Sequence, residues 1–284
     1  MITVIIPAHQ EETHIGRTLA LIARGHCPAP GPGGPPQLVV AANGCRDATA
    51  ARAREMAGRL ERAGWRFDLL DLPQGGKTGA INAAEAIACH PIRAYVDADI
   101  HVSPGLLAAL ARVLDRPEPA YAGGRLRIRR AQSWVSRRYA RFWQRLPFMA
   151  EGVPGCGVYA VNAAGRARWG AFPAITADDI FVRRHFAPGE RHGVADGYSW
   201  PITEGFADLV RVRRRQNRGL AELAAACPDL ADERGETGPG ARRALGLALR
   251  DPVGFTIYAL VALVVKTPLF PPRSAWDRGR DRGR

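Results

Sequence analysis

The first hundred residues alternate short apolar runs with amphipathic ones, and this alternation limits the fold more than any other feature of the chain. Residues 2–6 (ITVII) read as a buried strand ended by Pro7. A helical pattern follows, with Ile15, Leu19 and Ile22 on one face. After a Pro/Gly loop at 28–36, residues 37–41 form a second strand and 48–63 an Arg-rich helix, for which Asp47 offers an N-cap. Phe67–Leu70 is a third strand, 79–89 a helix, and Ile92–Val96 a fourth strand. Strand and helix alternating in this way predict an α/β fold with a mostly parallel sheet covered by helices. Such sheets bind ligands beyond the carboxyl ends of their strands. Three polar clusters stand at those ends: 7–12, 43–47 and 97–101.

Composition narrows the partners. The chain has 284 residues, with 40 Lys and Arg against 27 Asp and Glu, a net charge of +13. Only Lys77 and Lys266 are lysines. So strong a positive charge calls for an anionic partner: phosphate, an anionic membrane or nucleic acid. Residues 123–145 hold eight arginines and no acid, interleaved with Trp134, Tyr139, Phe142 and Trp143. These stretches match no nucleic-acid module, so no nucleic-acid partner is expected. Five widely spaced cysteines without a CxxC pair fit neither a disulfide framework nor a zinc ribbon, and suit a reducing cytoplasm. With a strand beginning at residue 2, no secretory leader is expected.

Four segments can carry chemistry. Asp97-Ala98-Asp99 follows an apolar strand, and two carboxylates so spaced can bind a hard divalent cation, with His101 as a third ligand or a neighbour; DxD is also a common loop sequence. Lys77 lies in GGKTG, but a P-loop would need Gly where Asp71 stands, so a nucleotide triphosphatase is rejected. The turn can still hold a phosphate through its amides and ammonium. No GxGxxG follows the first strand, which disfavours a nicotinamide or flavin site. Asp178-Asp179 opens a helix, where the pair either caps it or supplies a general base. Arg215-Gln216-Asn217-Arg218-Gly219 can clamp a diphosphate or form an exposed basic helix.

In order and spacing, these segments resemble the family 2 glycosyltransferases, which have the GT-A nucleotide-sugar fold. PAHQEE (7–12), NGCRDAT (43–49), GGKTGAIN (75–82), DADI (97–100), GCGVYAV (155–161), TADDIF (176–181) and RQNRG (215–219) each match a family segment. The resemblance covers residues 1–220. It implies an inverting transfer from a nucleotide sugar, with UDP as the expected nucleotide, assisted by Mg²⁺ or Mn²⁺. Donor contacts are then expected from Pro7, Ala8, His9, Glu11, Asn43, Asp47, Lys77, Asp97, Arg215 and Arg218. Asp99 and Asp97 would be the metal ligands, with His101 beside them. Asp179 aligns with the family's base and Asp178 is one residue away. Trp134, Trp143, Gly155, Cys156 and Gly157 are expected on the acceptor side. Gly219 replaces the Trp found in polymer-elongating members, which implies a non-processive enzyme. The alternative is a catalytically silent GT-A-like protein that binds a nucleotide or partner.

The end of the chain differs in character. Asp251-Pro252 is a helix start, and 253–265 is almost wholly apolar. Thirteen such residues reach roughly 20 Å, short of the ~30 Å hydrocarbon core. The segment therefore lies in a membrane interface, packs as a buried or dimer helix, or spans. The preceding 241–250 is basic and amphipathic, which suits an anionic membrane surface. The expected organisation is a transferase domain at 1–225, a linker at 226–240, amphipathic and apolar helices at 241–270, and a disordered basic tail at 271–284. The expected setting is cytoplasmic and peripheral on the inner face of the cell membrane, with a lipid or glycan acceptor and a homodimer as an option.

Overall fold

A computed structural model describes residues 1–28, 30, 33–150, 153–231 and 241–271, with side chains from 246 onward in the last of these segments. The expected tail beyond 271 and residues 232–240 of the expected linker lie outside the described residues. The chain divides into two compact units, residues 1–127 with 153–200, and residues 128–152 with 201–284.

The first unit is α/β, as its alternation dictates. Eight strands enter one sheet: β1 (Ile2–Ala8), β2 (Gln37–Asn43), β3 (Arg66–Leu72), β4 (Ile92–Val96), β5 (His101–Val102), β6 (Tyr121–Ile128), β7 (Val158–Val161) and β8 (Arg191–Trp200). Their order is β3-β2-β1-β4-β7-β6-β8-β5. The first four in that order run parallel, and β7 joins β4 and β6 antiparallel. β1 and β2 are buried along their whole length, as strands covered on both faces must be. Ile15, Leu19 and Ile22 of the first helix are buried in the core beneath them, as the 3.6-residue spacing predicts. Parallel pairing brings the ends of β1, β2, β3 and β4 to one edge, and the loops there hold most of the residues that the sequence singles out.

Three boundaries differ from expectation. The helix expected over 48–63 is two, Thr49–Glu55 and Ala57–Arg62, meeting at Met56; Gly58 in the second weakens continuous helix. The third strand is longer, at Arg66–Leu72, because it pairs with all of β2. The helix after it begins at Lys77 rather than 79, directly behind Gly76 at φ 142°.

In the second unit, helices Trp134–Trp143, Phe206–Ala226, Ala241–Arg250 and Pro252–Val264 predominate. Pro252–Val264 packs by its rings: Tyr258 stacks on Tyr139 at 5.6 Å, and Phe255 meets Phe142 at 5.9 Å. Both its ends are tied. Asp251 caps the start, accepting from the Gly254 amide at 3.0 Å, and pairs with Arg145 at 3.4 Å. At the other end Arg214, from the long helix, donates to the carbonyls of Val264, Val265, Thr267, Leu269 and Phe270. They belong to the last helical residue, its cap and the turn that follows.

Asp251→Ala removes a cap and an ion pair at a carboxylate that is only 6% exposed. It is expected to destabilise the protein by about 1–2 kcal/mol, read as the shift of the urea unfolding midpoint. An unchanged midpoint would show that the cap contributes nothing.

Candidate functional site

The loops at the carboxyl edge are laced together before any ligand arrives. Asn43, at the end of β2, is the hub. Its amide donates to the carbonyls of Ala8 at 2.8 Å and Ala41 at 3.2 Å, and its Oδ1 accepts from the Gly76 amide at 3.0 Å. His9 Nδ1 lies 2.6 Å from the Asn43 carbonyl. Gly44 sits at φ 56°, and a Cβ there would come 2.7 Å from the backbone nitrogen of Gly75, so only glycine lets these two turns approach. Thus 8–12, 43–49 and 74–79 form one rigid rim.

Asp47 belongs to this rim as a structural clasp. Its Oδ1 accepts from the Thr49 hydroxyl at 2.5 Å and the Thr49 amide at 3.1 Å, while Oδ2 accepts from the Glu12 amide at 3.1 Å. Burial alone would raise its pKa, but these hydrogen bonds more than offset that and hold it low. Glu11 is buried, donates its amide to Thr49 Oγ1 at 2.7 Å and pairs with His14 at 3.0 Å. Pro7 and Ala8 end β1 and offer backbone only.

Next to the rim lies a dense cluster of charge. The Lys77 ammonium stands 2.8 Å from Asp97 Oδ1 and 2.9 Å from Asp178 Oδ1. Burial by itself would lower the lysine's pKa; the carboxylates of Asp178, Asp97 and Asp179 reverse this and hold it well above its ordinary value. Asp178 is enclosed, and its second oxygen accepts from the Tyr159 hydroxyl at 2.9 Å. Asp179 is different. Burial first, then the negative charges of Asp178 and Asp97, push its pKa up to about 7, with Lys77 pulling the other way. The adjacent carboxylates thus differ in surroundings: both oxygens of Asp178 are engaged, while burial and neighbouring charge raise the proton affinity of Asp179.

The other residues singled out fall into two groups. Asp99 is buried three residues beyond the end of β4, and His101 is half-buried in β5, opposite Ser199. Gly155 and Gly157 have φ of 73° and 75°; a Cβ on Gly155 would run into the Tyr121 hydroxyl. The Cys156 thiol between them is pushed up by burial and by the charges of Asp179 and Asp97, and so stays protonated. Trp134, Trp143, Arg215 and Arg218 all belong to the second unit. Trp134 is exposed with Arg138 over its ring at 5.9 Å, Trp143 is buried, and Arg218 lies 3.6 Å from Glu222 on its own helix.

Tyr159 escaped the sequence reading, although its place two residues after Gly157 in β7 marked it. Tyr95 escaped as well; it stacks on Tyr159 with ring centroids 4.7 Å apart and donates to Glu85 at 2.6 Å. Among the described residues no three His, Cys, Asp or Glu side chains gather as a closed metal site. Two carboxylates past a strand end are nonetheless the hard oxygen donors that Mg²⁺ or Mn²⁺ takes, when water and substrate phosphates complete its shell. The donor set therefore fits such an ion.

The described residues match solved structures of the same architecture. A mannosyltransferase from Pyrobaculum calidifontis, in complex with GDP-Man and Mn²⁺, is 18% identical over 94% of this chain and 75% of its own, with a TM-score of 0.57. Glucosyl-3-phosphoglycerate synthase from Mycobacterium tuberculosis, with Mn²⁺, UDP and glucosyl-3-phosphoglycerate, is 18% identical over 80% of each chain, with a TM-score of 0.55. S. aureus TarS (1–349) with UDP-GlcNAc is 15% identical over 93% of this chain and 81% of its own, with a TM-score of 0.52. No curated protein sequence matches the chain. The model of glycosyl transferase family 2 matches residues 3–169, more than half of the chain. With the GT-A sheet and its laced rim, that match makes the chain a member of glycosyl transferase family 2.

Proposed function

We propose that the protein is an inverting, non-processive glycosyltransferase that moves a sugar from a nucleoside diphosphate sugar, with UDP as the nucleotide, to a hydroxyl of a lipid, lipid-linked or glycan acceptor at the inner face of the cell membrane. The transfer chemistry is assigned to residues 1–225, and the helices at 241–270 to membrane association or packing. The observation that carries the reading is the split between the two adjacent carboxylates. Lys77 and Tyr159 fix both oxygens of Asp178, and Asp179 beside it is left with a proton affinity near neutrality.

In this reading Asp179 is the base. It accepts the proton of the acceptor hydroxyl as that oxygen attacks the anomeric carbon, and the nucleoside diphosphate leaves from the opposite face. A positioned base contributes roughly 10²–10⁴-fold. Asp178 orients the site and holds Lys77. The Lys77 ammonium is assigned to the charge that develops on the diphosphate, as an electrostatic stabiliser. Asn43, His9 and the 8–12 segment shape the rim for the base and ribose. Asp99 and Asp97 would hold Mg²⁺ or Mn²⁺, which neutralises charge on the leaving diphosphate. Arg215 and Arg218 are assigned to the diphosphate, and Gly155–Gly157, Trp134 and Trp143 to the acceptor side. The neighbours named above were solved with GDP-Man, UDP or UDP-GlcNAc, which supports a nucleotide-sugar donor.

The two carboxylates should respond differently to substitution. Asp179→Asn is expected to keep UDP–Mn²⁺ binding by calorimetry and to lose transfer on the order of 10²-fold or more. Asp178→Asn is expected to destabilise the fold, because it leaves Lys77 short of a buried partner. Full turnover by Asp179→Asn, with a stable and inactive Asp178→Asn, would reverse the assignment.

A pH profile tests the same group. The base must be deprotonated, so kcat/KM is expected to rise with pH and level off above about 7. The stability linkage runs the other way. A raised carboxylate pKa favours the protonated fold, so this group's contribution is complete at acid pH and is lost as pH climbs through about 7. Asp179→Asn should therefore gain thermal stability relative to the parent at pH 8 and lose that advantage at pH 5. A flat kcat/KM profile between pH 5 and 8 would remove Asp179 from the role.

A further inference from the structure

We propose that the second unit carries a docking surface for an anionic lipid bilayer, centred on the helix Pro252–Val264. It supplies the surface for the membrane part of the reading above and rests on that part alone.

The helix Pro252–Val264 has no polar side. One side is buried through Gly254, Ile257 and Val261, the side that packs inside the unit. The opposite side shows Leu260 and Leu263 to solvent, with Leu263 60% exposed, and Phe255 beside them stays partly exposed although its ring meets Phe142. A helix apolar all round belongs in a core or in lipid, and this one is only half enclosed. The feature extends beyond the helix. Among the described residues, the large apolar side chains that stand exposed are almost all in this unit, Leu249, Leu269 and Trp134 included, and Ile87 alone is in the other. Clustered exposure of this kind marks an interaction surface.

Length and charge select the occupant. No helix among the described residues is long and apolar enough to cross a membrane, and thirteen residues reach roughly 20 Å. The helix can lie along an interface but cannot span one. Cations stand at its ends: Arg250 and, across Asp251, Arg145 and Arg141 at the start, and Lys266 just past the finish. Arg141 is 60% exposed although it approaches Asp251. Long basic side chains flanking an apolar face reach the headgroup level while the face sits among the acyl chains. In the described residues of this unit fifteen Arg and Lys stand against five Asp and Glu. A second copy would set this charge against itself, whereas anionic lipid complements it.

The test uses the full chain and vesicles of phosphatidylcholine with or without phosphatidylglycerol, separated by flotation. The parent is expected to float with phosphatidylglycerol vesicles, much less with phosphatidylcholine alone, and to release as salt is raised. Leu260→Asp/Leu263→Asp, at exposed positions, is expected to lower vesicle partition on the order of tenfold. Its thermal midpoint and its UDP–Mn²⁺ affinity should stay those of the parent. Failure of the parent to float, equal flotation with both vesicles, or a double variant that floats like the parent overturns the proposal. So does a parent dimer in sedimentation velocity that the double variant dissolves, since the face then joins two copies. Lost flotation with intact UDP–Mn²⁺ binding removes the surface and leaves the transfer reading in place; the converse result removes the transfer reading only.

Discussion

One ammonium organises the carboxyl edge of the sheet in this protein. Lys77 draws together Asp97, which directly follows a parallel strand, and Asp178, which opens a helix some eighty residues later. Three carboxylates crowded into a half-buried pocket repel each other and resist leaving water. A cation among them makes the arrangement tolerable, though not neutral: burial first, and then the remaining negative charge, raises the proton affinity of Asp179. In a chain that otherwise uses arginine almost without exception, a lysine here has a physical reason. An ammonium is a compact point charge that can meet two carboxylates at once, whereas a planar guanidinium needs room to present its fork.

The lysine can do this because the turn that carries it is fixed from behind. Gly76 gives its amide to Asn43, whose own amide group holds the end of β1. Four segments distant in sequence are therefore joined in series: the end of β1, the end of β2, the GGK turn and the Asp178 helix. Tyr159 continues the series into the sheet, since its ring stacks on Tyr95 and Tyr95 is anchored to Glu85. Shifting any of these members moves the Asp178–Asp179 pair as well.

Much of this was legible in the residues before the fold was seen. Alternating periodicities announced the parallel sheet, and the polar clusters at 7–12, 43–47 and 97–101 marked its ligand edge, because apolar runs ending in Pro, Asn or Asp record where strands stop. The Asp251-Pro252 helix start was readable for the same local reason. Long-range pairing was not. Nothing near Tyr159 states that its hydroxyl meets Asp178, and no local pattern states that Lys77 and Tyr159 take up both oxygens of that carboxylate. Asp47 read as a helix cap, whereas it clasps the neighbouring loop through Glu12. Arg214, one of five arginines in a short run, carried no mark of its different work.

That work has a consequence for how the end of the chain comes apart. A terminal helix of thirteen residues normally frays, since its last turn has nothing to hold it. Here Asp251 ties the first turn to Arg141 of one helix and to Arg145 beyond that helix's end, and the guanidinium of Arg214 ties Val264 and the turn after it to another helix. Opening either end means breaking contacts with a partner helix. The segment is thus part of the cooperative unit that contains those partners, and its backbone amides should exchange with solvent together with theirs, as one foldon.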